Sequence, residues 1–453
     1  MLKKTLAVIA ALIFISGCST GSKTGIKTIT SDDQIFLDSV QYRSFLFFIN
    51  EINPELGLVK DRTADWAPAS IAAMGFALPA WAIGAEKGWI ETAKARTLTL
   101  NMFRFLINSV QSNDTNATGY EGLYYHFLKM TDGSREWKCE LSSIDTALLL
   151  AGIIFARNYY AGNSPEETEI RAIAARILER VNWKFMQMPE GKGKHSFSIN
   201  LGYWPERGHD PHGWLGYNEA ILIYILAAGM DMPDYQKSYK AWVDNYTWRE
   251  PYPGLGHLVF PPLFGHQYSH MFIDFRNIKD DYMRNKGIDY FENSRRAVLT
   301  QRLYGIQNPH GWKGYDSLTW GITACDGPGD SFNRDGMTFL GYAGRGSAGP
   351  DSNYFDDGTL APTALGGSIP FAPDITISSL KSMYDRFAEK GLWGRYGFVD
   401  AFNPTLNWFN KDYLGIDQGP FVIMIENYRN DFVWKYFMKD EIIKKGLERL
   451  NFR

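Results

Sequence analysis

Helical segments of two kinds alternate along this chain, and the alternation constrains the fold more than any other feature of the sequence. The first kind is apolar nearly all round and comprises segments 67–84, 142–160, 216–229 and 417–430. The second kind is amphipathic, carries Lys, Arg and Glu, and comprises segments 91–113, 166–187, 280–304 and 438–450. A helix that is apolar on every side is buried, and an amphipathic helix lies at the surface. The pattern predicts an inner layer of helices wrapped by an outer layer.

The connections between these helices alternate as well. Links from an inner to an outer helix are short, such as EKGW and GNSPE, whereas links from an outer to an inner helix are long. Long loops without regular structure are usually functional. Because each one leads into the N-terminus of an inner helix, they gather at one end of the molecule. The long links cover residues 52–66, 114–141, 188–215, 247–264, 305 to about 333, and 391–416.

These two alternations predict an all-α fold, an (α/α)6 toroid whose long loops form an active-site cleft on one face. Five outer–inner helix pairs are clear, and the sixth falls in the Gly-rich region 305–374. One further helix is expected there, near 332–342 or 361–367. The whole of residues 33–453 is expected to form this one catalytic domain.

The long loops concentrate aromatic and polar side chains. Aromatic residues make up 15% of the chain, and the net charge of −3 argues against a nucleic-acid partner. Aromatic rings stack on the apolar faces of sugars while polar groups bind the hydroxyls, so we expect an oligo- or polysaccharide substrate. The candidate substrate-binding residues are Arg62, Trp66, His126, Glu140, Trp204, His212, Trp214, Tyr217, His266, Trp312, Trp320 and Phe402.

Carboxylates stand at the starts of three inner helices, where all would face the cleft. They are Asp145, Glu219 and Asp417, and Asp400 lies in the loop before the last of them. Each of the three could simply cap its helix or complement the helix dipole. As a set they suit acetal hydrolysis, which needs one acid kept protonated by apolar surroundings and one ionised base.

Glu219 is the expected acid because an apolar helix follows it, and the base is left open among the three aspartates. Glu426 also lies within an apolar helix, but there we expect a structural acid paired with Arg429 or a neighbouring arginine.

No metal or cofactor is expected. His266 and His270 are four residues apart, and His209, Asp210 and His212 are close in sequence, but neither group completes a zinc motif. The acids Asp351, Asp356 and Asp357 resemble calcium ligands only loosely, because they do not follow the EF-hand spacing. Cys139 and Cys325 could form a disulfide or remain as two thiols.

The first residues, MLKKTLAVIAALIFISGCST, have the layout of a secretory signal, with two lysines before an apolar run and small residues. Residues 1–17 are predicted to be a signal peptide. The ending ISGC resembles a bacterial lipobox, which implies lipidation of Cys18 and a flexible tether over 18–32. This predicts a lipoprotein of the periplasm or outer membrane of a Gram-negative bacterium, attached to the membrane only by its lipid, with no protein partner inferred.

Four motifs resemble a known family: ELSSIDTALLLAG, GYNEAILIYILAAG, DDGTLAPTALGGS and GIDQGPFVIMIENYR. They are similar to the bacterial glucoamylase-like family that includes inverting β-1,2-glucanases and sophorose-releasing relatives. The resemblance covers residues 35–450 and implies an (α/α)6 fold, an inverting mechanism and β-1,2-linked glucan as substrate. It also implies that Glu219 is the general acid.

Three other functions fit parts of the sequence. A glucoamylase-like hydrolase of α-glucan would use the same acids, and a non-catalytic glycan-binding lipoprotein would need only the aromatic face. A polysaccharide lyase would need a Tyr or His base and clustered cations to neutralise a uronic acid.

Overall fold

The computed structural model describes residues 30–329, 332–334, 336–350 and 354–453. Fifteen α-helices lie within these residues. In chain order they are α1 Ser31–Asn50, α2 Ile71–Glu86, α3 Thr92–Asn108, α4 Ser143–Tyr159, α5 Pro165–Glu179, α6 Trp183–Met186, α7 Ile221–Gly229, α8 Tyr235–Val243, α9 Asp281–Lys286, α10 Tyr290–Gln307, α11 Thr363–Gly366, α12 Pro373–Phe387, α13 Gly415–Asn430, α14 Phe432–Phe437 and α15 Glu441–Arg449.

The buried helices form a ring. Helix α2 packs against α4 on one side and α13 on the other, α4 contacts α7, and α13 contacts α11. Two 3₁₀ turns, Leu263–His266 and Ser269–Met271, continue the ring between α7 and α11, and the second of them packs on α13. Almost every residue of α2, α4, α7 and α13 is buried, as their apolar sequences require.

The amphipathic helices lie outside the ring. Helices α1, α3, α5, α8, α10 and α12 each precede one inner element, which gives six outer–inner pairs. The (α/α)6 toroid is therefore confirmed. Helices α14 and α15 close the opposite end, where α14 contacts α4 and α15 contacts α7.

Short strands in the long connections hold the loops against the starts of the inner helices. They are β1 Ile52–Asn53, β2 Leu58–Val59, β3 Ala69–Ser70, β4 Gly119–Tyr120, β5 Leu123–Tyr125, β6 Phe127–Leu128, β7 Leu141–Ser142, β8 Gly202–Trp204, β9 Gly208–His209, β10 Trp248–Arg249, β11 His257–Leu258, β12 Ala324–Cys325, β13 Phe332–Arg334, β14 Met337–Phe339, β15 Ala343–Gly344, β16 Trp393–Gly394, β17 Gly397–Phe398, β18 Phe402–Asn403 and β19 Trp408–Phe409.

Two of these strands run directly into inner helices. Strand β3 pairs with β6 and leads into α2, and β7 belongs to the antiparallel sheet β4-β5-β7-β8-β9 and leads into α4. Each helix then begins with a serine cap, Ser70 on the Ala73 N–H and Ser142 on the Asp145 N–H. Two loops are thereby fixed to the end of the toroid where the inner helices start.

The structure corrects several boundaries. The inner helix that the sequence left open is α11, within the predicted 361–367 segment. The alternative segment, 332–342, contains the antiparallel strands β13 and β14, with Gly336 between them at φ +79°. The predicted helix 265–275 is replaced by the two 3₁₀ turns. Helix α1 begins at Ser31, so the last two residues of the predicted tether are helical.

The predicted signal peptide, Cys18 and most of the tether lie outside the described residues. Within the described part of the chain, no helix combines the length and the hydrophobicity needed to cross a bilayer. Cys139 and Cys325 are both free thiols, so the disulfide alternative is wrong.

Candidate active site

A cavity of about 440 Å³ opens at the end of the toroid where the inner helices begin. Its wall includes four residues that were predicted from the sequence: Arg62, His126, Asp145 and Glu219. Its lining consists of Asp61, Arg62, Ala72, His126, Phe127, Ile144, Asp145, Leu148, Glu219, Phe264, Tyr268, Tyr342, Leu414 and Ile416. The wall therefore combines charged groups with apolar and aromatic surfaces, as a carbohydrate site requires.

Glu219 sits in the turn immediately before α7, not within the helix. Its backbone carbonyl accepts a 2.5 Å hydrogen bond from the Ser269 hydroxyl, which ties the turn to the neighbouring 3₁₀ segment. Glu219 is only 5% exposed, and its Oε2 is buried with no hydrogen-bond partner in the described part of the chain. Burial, with a further contribution from the negative charge of Asp145, raises the pKa of Glu219 to about 7. This carboxyl can hold a proton at neutral pH.

Asp145 lies in the first turn of α4 and belongs to a chain of polar contacts. Its Oδ2 accepts a 2.5 Å hydrogen bond from Ser142, so the capping role of this pair is real. Its Oδ1 lies 3.7 Å from His126 Nε2, and His126 Nδ1 lies 2.8 Å from Glu140 Oε1. His126 thus bridges two carboxylates.

The charges around His126 decide its protonation. Burial alone would lower its pKa, but Asp145 and Glu140 outweigh burial and raise the pKa to about 9. The pKa of Asp145 is raised by burial, and the positive charge of His126 opposes that rise. At neutral pH the cluster contains an imidazolium between two acids, next to the protonated Glu219.

Asp400 and Asp417 form a second acidic cluster. They are 1% and 3% exposed, and each is close enough to the other to shift its pKa. Asp400 Oδ2 accepts hydrogen bonds of 2.9 Å from the Asp326 N–H and from the Asn410 amide. Asp400 Oδ1 and Asp417 Oδ2 are buried and receive no hydrogen bond from the described residues. Ionisation of one buried carboxyl opposes ionisation of its neighbour, so the two titrate as a pair.

The two members of this pair have different surroundings. Burial raises the pKa of both carboxyls, and the negative charge of Asp400 adds to the rise for Asp417. Two hydrogen bonds reach Asp400 Oδ2, whereas Asp417 Oδ2 receives none from the described residues. The surroundings therefore favour the negative charge on Asp400 and the proton on Asp417.

Arg62 lies between the cavity and the Asp400–Asp417 cluster, because it lines the cavity and also binds Asp326, which contacts Asp400. Its Nε donates to Asp61 at 3.0 Å and its Nη1 to Asp326 at 2.8 Å. The same guanidinium faces the cavity and lies 5.9 Å from the Trp66 ring. Arg62 offsets part of the negative charge that the clustered aspartates would otherwise concentrate here.

Five residues predicted to bind substrate do not line the cavity because they are buried in the protein. Tyr217 stacks on Tyr290 at 5.6 Å, and the fully buried His266 lies 5.0 Å from Tyr217. The others are Trp312, which donates to Asp356, Trp320, which donates to Ser379 of α12, and Phe402, which stacks on Phe409. The structure therefore places these five predicted binding residues in the core rather than on the cavity wall.

The remaining predicted binding residues stay partly exposed. Glu140 supports His126, and Trp66 stands at the rim beside Arg62. Trp214 donates to the Ser143 hydroxyl, Trp204 stacks with Arg207, and the exposed His212 pairs with Asp210. None of these last three is among the side chains that form the cavity wall.

Five polar or aromatic cavity residues were missed by the sequence reasoning: Asp61, Phe127, Phe264, Tyr268 and Tyr342. Tyr268 occupies a central place, since its pKa is raised well above normal by burial and then by Asp417, Tyr342, Glu219 and Asp145. Its hydroxyl donates to the Ile416 carbonyl at 3.2 Å. The aromatic residues of the long loops carry no periodic signal that separates wall from core, so these residues could not have been chosen from the sequence.

Among the described residues, His126, Glu140 and Asp145 place possible ligand atoms within 4.8 Å of one another. The imidazolium of His126 already bridges these two acids, so a metal ion bound by His126 would have to displace a proton from it. Asp356 accepts hydrogen bonds from Tyr304, Trp312 and Tyr315, and Asp357 is bound by Arg345. These partners leave neither acid free for calcium, and Asp351 lies outside the described residues.

The fold and the site define a class of protein: an (α/α)6 toroid with an acid-lined cavity under aromatic loops at one end. The chain belongs to the family described as "Putative glucoamylase", whose family model matches residues 211–441. The crystal structure of a putative glucoamylase from Bacteroides uniformis is 31% identical, with a TM-score of 0.76, over 93% of this chain and 98% of that one. Family membership is therefore shown by both sequence and structure.

Two further relatives have been named for an activity. An exo beta-1,2-glucooligosaccharide sophorohydrolase (non-reducing end) from Parabacteroides distasonis is 27% identical over 99% of this chain, which spans 62% of that relative's length. An endo-beta-1,2-glucanase from Chitinophaga pinensis, solved with sophorotriose and glucose, is 25% identical with a TM-score of 0.78, over 93% of this chain and 98% of that one.

Proposed function

We propose that this protein is a glycoside hydrolase that cleaves β-1,2-linked glucan with inversion of configuration. The observation that carries the proposal is Glu219, a cavity-wall carboxyl that burial keeps protonated near neutral pH. The two named relatives act on β-1,2-linked glucans, which supports this linkage over the α-glucan alternative.

In the proposed reaction Glu219 protonates the glycosidic oxygen as the bond between that oxygen and the anomeric carbon breaks. An ionised aspartate takes a proton from water, which attacks the anomeric carbon from the opposite face. The water oxygen becomes the new anomeric hydroxyl, so a β-linkage releases an α-anomer. Every atom of the reaction comes from the substrate, one water and these two carboxyl groups.

The Asp400–Asp417 pair is the proposed base. Neither acid is among the side chains that line the cavity, but Arg62 on the cavity wall donates to Asp326, and the Asp326 N–H donates to Asp400, which sets the pair beside the cavity. Asp400, which receives two hydrogen bonds, is the member proposed to take the proton from water. Asp145, whose charge adds to the rise in the pKa of Glu219, is proposed to help keep Glu219 protonated.

The test is hydrolysis of linear β-1,2-glucan and of α-1,4-glucan, with the anomer of the first product followed by NMR. Release of the α-anomer from β-1,2-glucan supports the proposal. Release of the β-anomer would overturn the inverting mechanism, and turnover of the α-glucan alone would overturn the linkage. Binding of β-1,2-glucan without turnover would show a glycan-binding protein instead.

We also propose that the chain is exported and lipidated at Cys18, as its lipobox-like sequence suggests. Metabolic labelling with a fatty acid, followed by membrane fractionation, tests this. Cys18→Ala is expected to abolish labelling and release the protein from the membrane. Unchanged fractionation of the variant would contradict the proposal.

A further inference from the structure

Two exposed tryptophans contact each other at the rim of the cavity. All 14 tryptophans of the chain lie in its described part, and Trp66 and Trp137 are the ones with exposed side chains, at 64% and 51%. Their ring centroids are 5.7 Å apart. Large aromatic rings left in solvent as a contiguous pair usually mark a binding surface.

This pair is continuous with the cavity wall on both sides. The Trp137 ring lies 5.2 Å from Phe127, and Phe127 stacks on His126 with centroids 3.8 Å apart. On the other side, the Arg62 guanidinium lies 5.9 Å from the Trp66 ring. Since Phe127, His126 and Arg62 all line the cavity, the aromatic surface leads from solvent to the side chain beside Asp145.

The backbone that presents Trp137 is unusual. The Cys139 N–H donates to the Glu136 carbonyl at 3.1 Å, which closes a four-residue turn. Both central residues, Trp137 and Lys138, have positive φ, at 54° and 53°. That is the pattern of a type I′ turn, for which Asn-Gly is the favoured sequence and a bulky residue is strained.

The turn is held onto the strand that bears Phe127. The Glu136 N–H donates to the Phe127 carbonyl at 2.9 Å, and the Phe127 N–H points to Cys139 Sγ at 3.2 Å. A tryptophan kept in a strained, exposed position next to the site is a local violation of sequence preference, and such violations concentrate at functional positions.

We infer that Trp66 and Trp137 form a platform for glucose units that lie outside the cavity, so that long glucans bind better than short ones. The inference rests on the proposed function. A cavity of about 440 Å³ takes a ligand of limited size, and a longer chain must continue across its rim. The apolar faces of the pyranose rings would stack on the two indoles, away from the reacting bond.

The sharpest variant replaces the strained pair by the preferred turn sequence, W137N/K138G. It removes the indole while relieving the positive-φ strain, so its Tm should equal or exceed that of the native protein. For β-1,2-glucan polymer its KM should rise about fivefold to tenfold, the loss typical of a truncated tryptophan contact. For the β-1,2-linked tetrasaccharide, KM and kcat should stay near native values. Trp66→Ala should likewise raise KM for the polymer and leave KM for the tetrasaccharide near its native value, without altering the turn.

Tyr384→Ala is the matched control, because Tyr384 is an exposed aromatic on α12 that packs on Phe36 and Trp393, and it is not among the cavity-lining residues. It should leave KM for both substrates unchanged. Equal effects of W137N/K138G on polymer and tetrasaccharide, or no effect on either, would overturn the platform while the hydrolase proposal stands. If the native protein binds polymer without hydrolysing it, the hydrolase proposal fails, and weaker polymer binding by the variant would still support the platform.

Discussion

Replacing Glu219 by Gln should remove most of the activity and at the same time stabilise the protein at alkaline pH. Gln has nearly the same shape as Glu but cannot deliver a proton. Removal of a positioned general acid typically reduces kcat by about 10²–10⁴-fold. The amide can also supply the donor and acceptor of a neutral side chain in the same buried place, so the fold should persist.

The stability effect follows from the raised pKa. Burial lifts the pKa of Glu219 from 4.5 to about 7, so the folded state binds this proton more tightly than the unfolded state does. The stabilisation from this tighter proton binding is fully present below the pKa of Glu219 in the unfolded state, and it is lost as the pH rises through the pKa in the folded state. A difference of roughly 2.5 units corresponds to about 3 kcal/mol, without reduction for solvent screening because the side chain is almost fully buried.

Glu219→Gln is neutral at every pH and lacks this loss. Its free energy of unfolding relative to the native protein should therefore rise by about 2.5 kcal/mol between about pH 5 and about pH 8.5, because part of the full effect is already present at about pH 5. Chemical denaturation at both pH values measures the difference. Glu448→Gln, at an exposed position on α15, is the matched control and should show no such change.

Two results would refute the reasoning. If Glu219→Gln kept its kcat within about threefold of native, Glu219 would not be the acid. If the stability difference were the same at both pH values, the carboxyl would not be protonated near neutral pH in the folded state. The alkaline limb of native kcat/KM should fall near pH 7, as the free enzyme loses this proton.

Three further predictions concern the site and its surroundings. Asp417→Asn should retain far more activity than Asp400→Asn, because the amide imitates the protonated member of the pair. The reverse order in kcat would reassign the base. Arg62→Gln should move the acidic limb of kcat/KM to higher pH, because it removes a cation that lowers the pKa of Asp417 and interacts with Asp400. An unmoved limb would contradict this. Arg345→Met should cost about 3–5 kcal/mol of unfolding free energy by stranding the fully buried Asp357, and adding Asp357→Asn should recover much of it; a loss under about 1 kcal/mol in denaturant would contradict this.

The sequence predicts the toroid because two independent patterns, the hydrophobic periodicity of the helices and the alternation of short and long loops, both separate buried inner helices from exposed outer ones. It predicted an α-helix where the ring has two 3₁₀ turns, and it offered the position of the four-residue helix α11 only as one of two alternatives. These are too short to show helical periodicity, and their place in the ring is set by contacts with neighbours that are distant in the chain.

The acids show the same limit at the level of single residues. Glu219 and Glu426 both adjoin long apolar runs, and the sequence alone separates them only weakly. In the structure Glu426 lies 3.0 Å from Lys87 and from the Gln41 amide, and the expected Arg429 is 4.0 Å away, so Glu426 is a paired structural acid. Glu219 Oε2 has no hydrogen-bond partner among the described residues. The difference arises from side chains that only the folded chain brings near.

The two ends of the toroid use buried acids in opposite ways. At the end that lacks the cavity, Asp440 is bound by Arg157 and by the Asn158 amide, so its charge is compensated. At the cavity end, Glu219 and Asp417 each keep a buried oxygen to which no described residue donates. A buried carboxyl without a donor costs free energy when it ionises, and the same cost raises its pKa. A site that must give a proton to a leaving oxygen and take one from water needs carboxyls whose pKa values their surroundings have shifted. The missing donors at the cavity end therefore serve the proposed activity, although they add nothing to the stability of the fold.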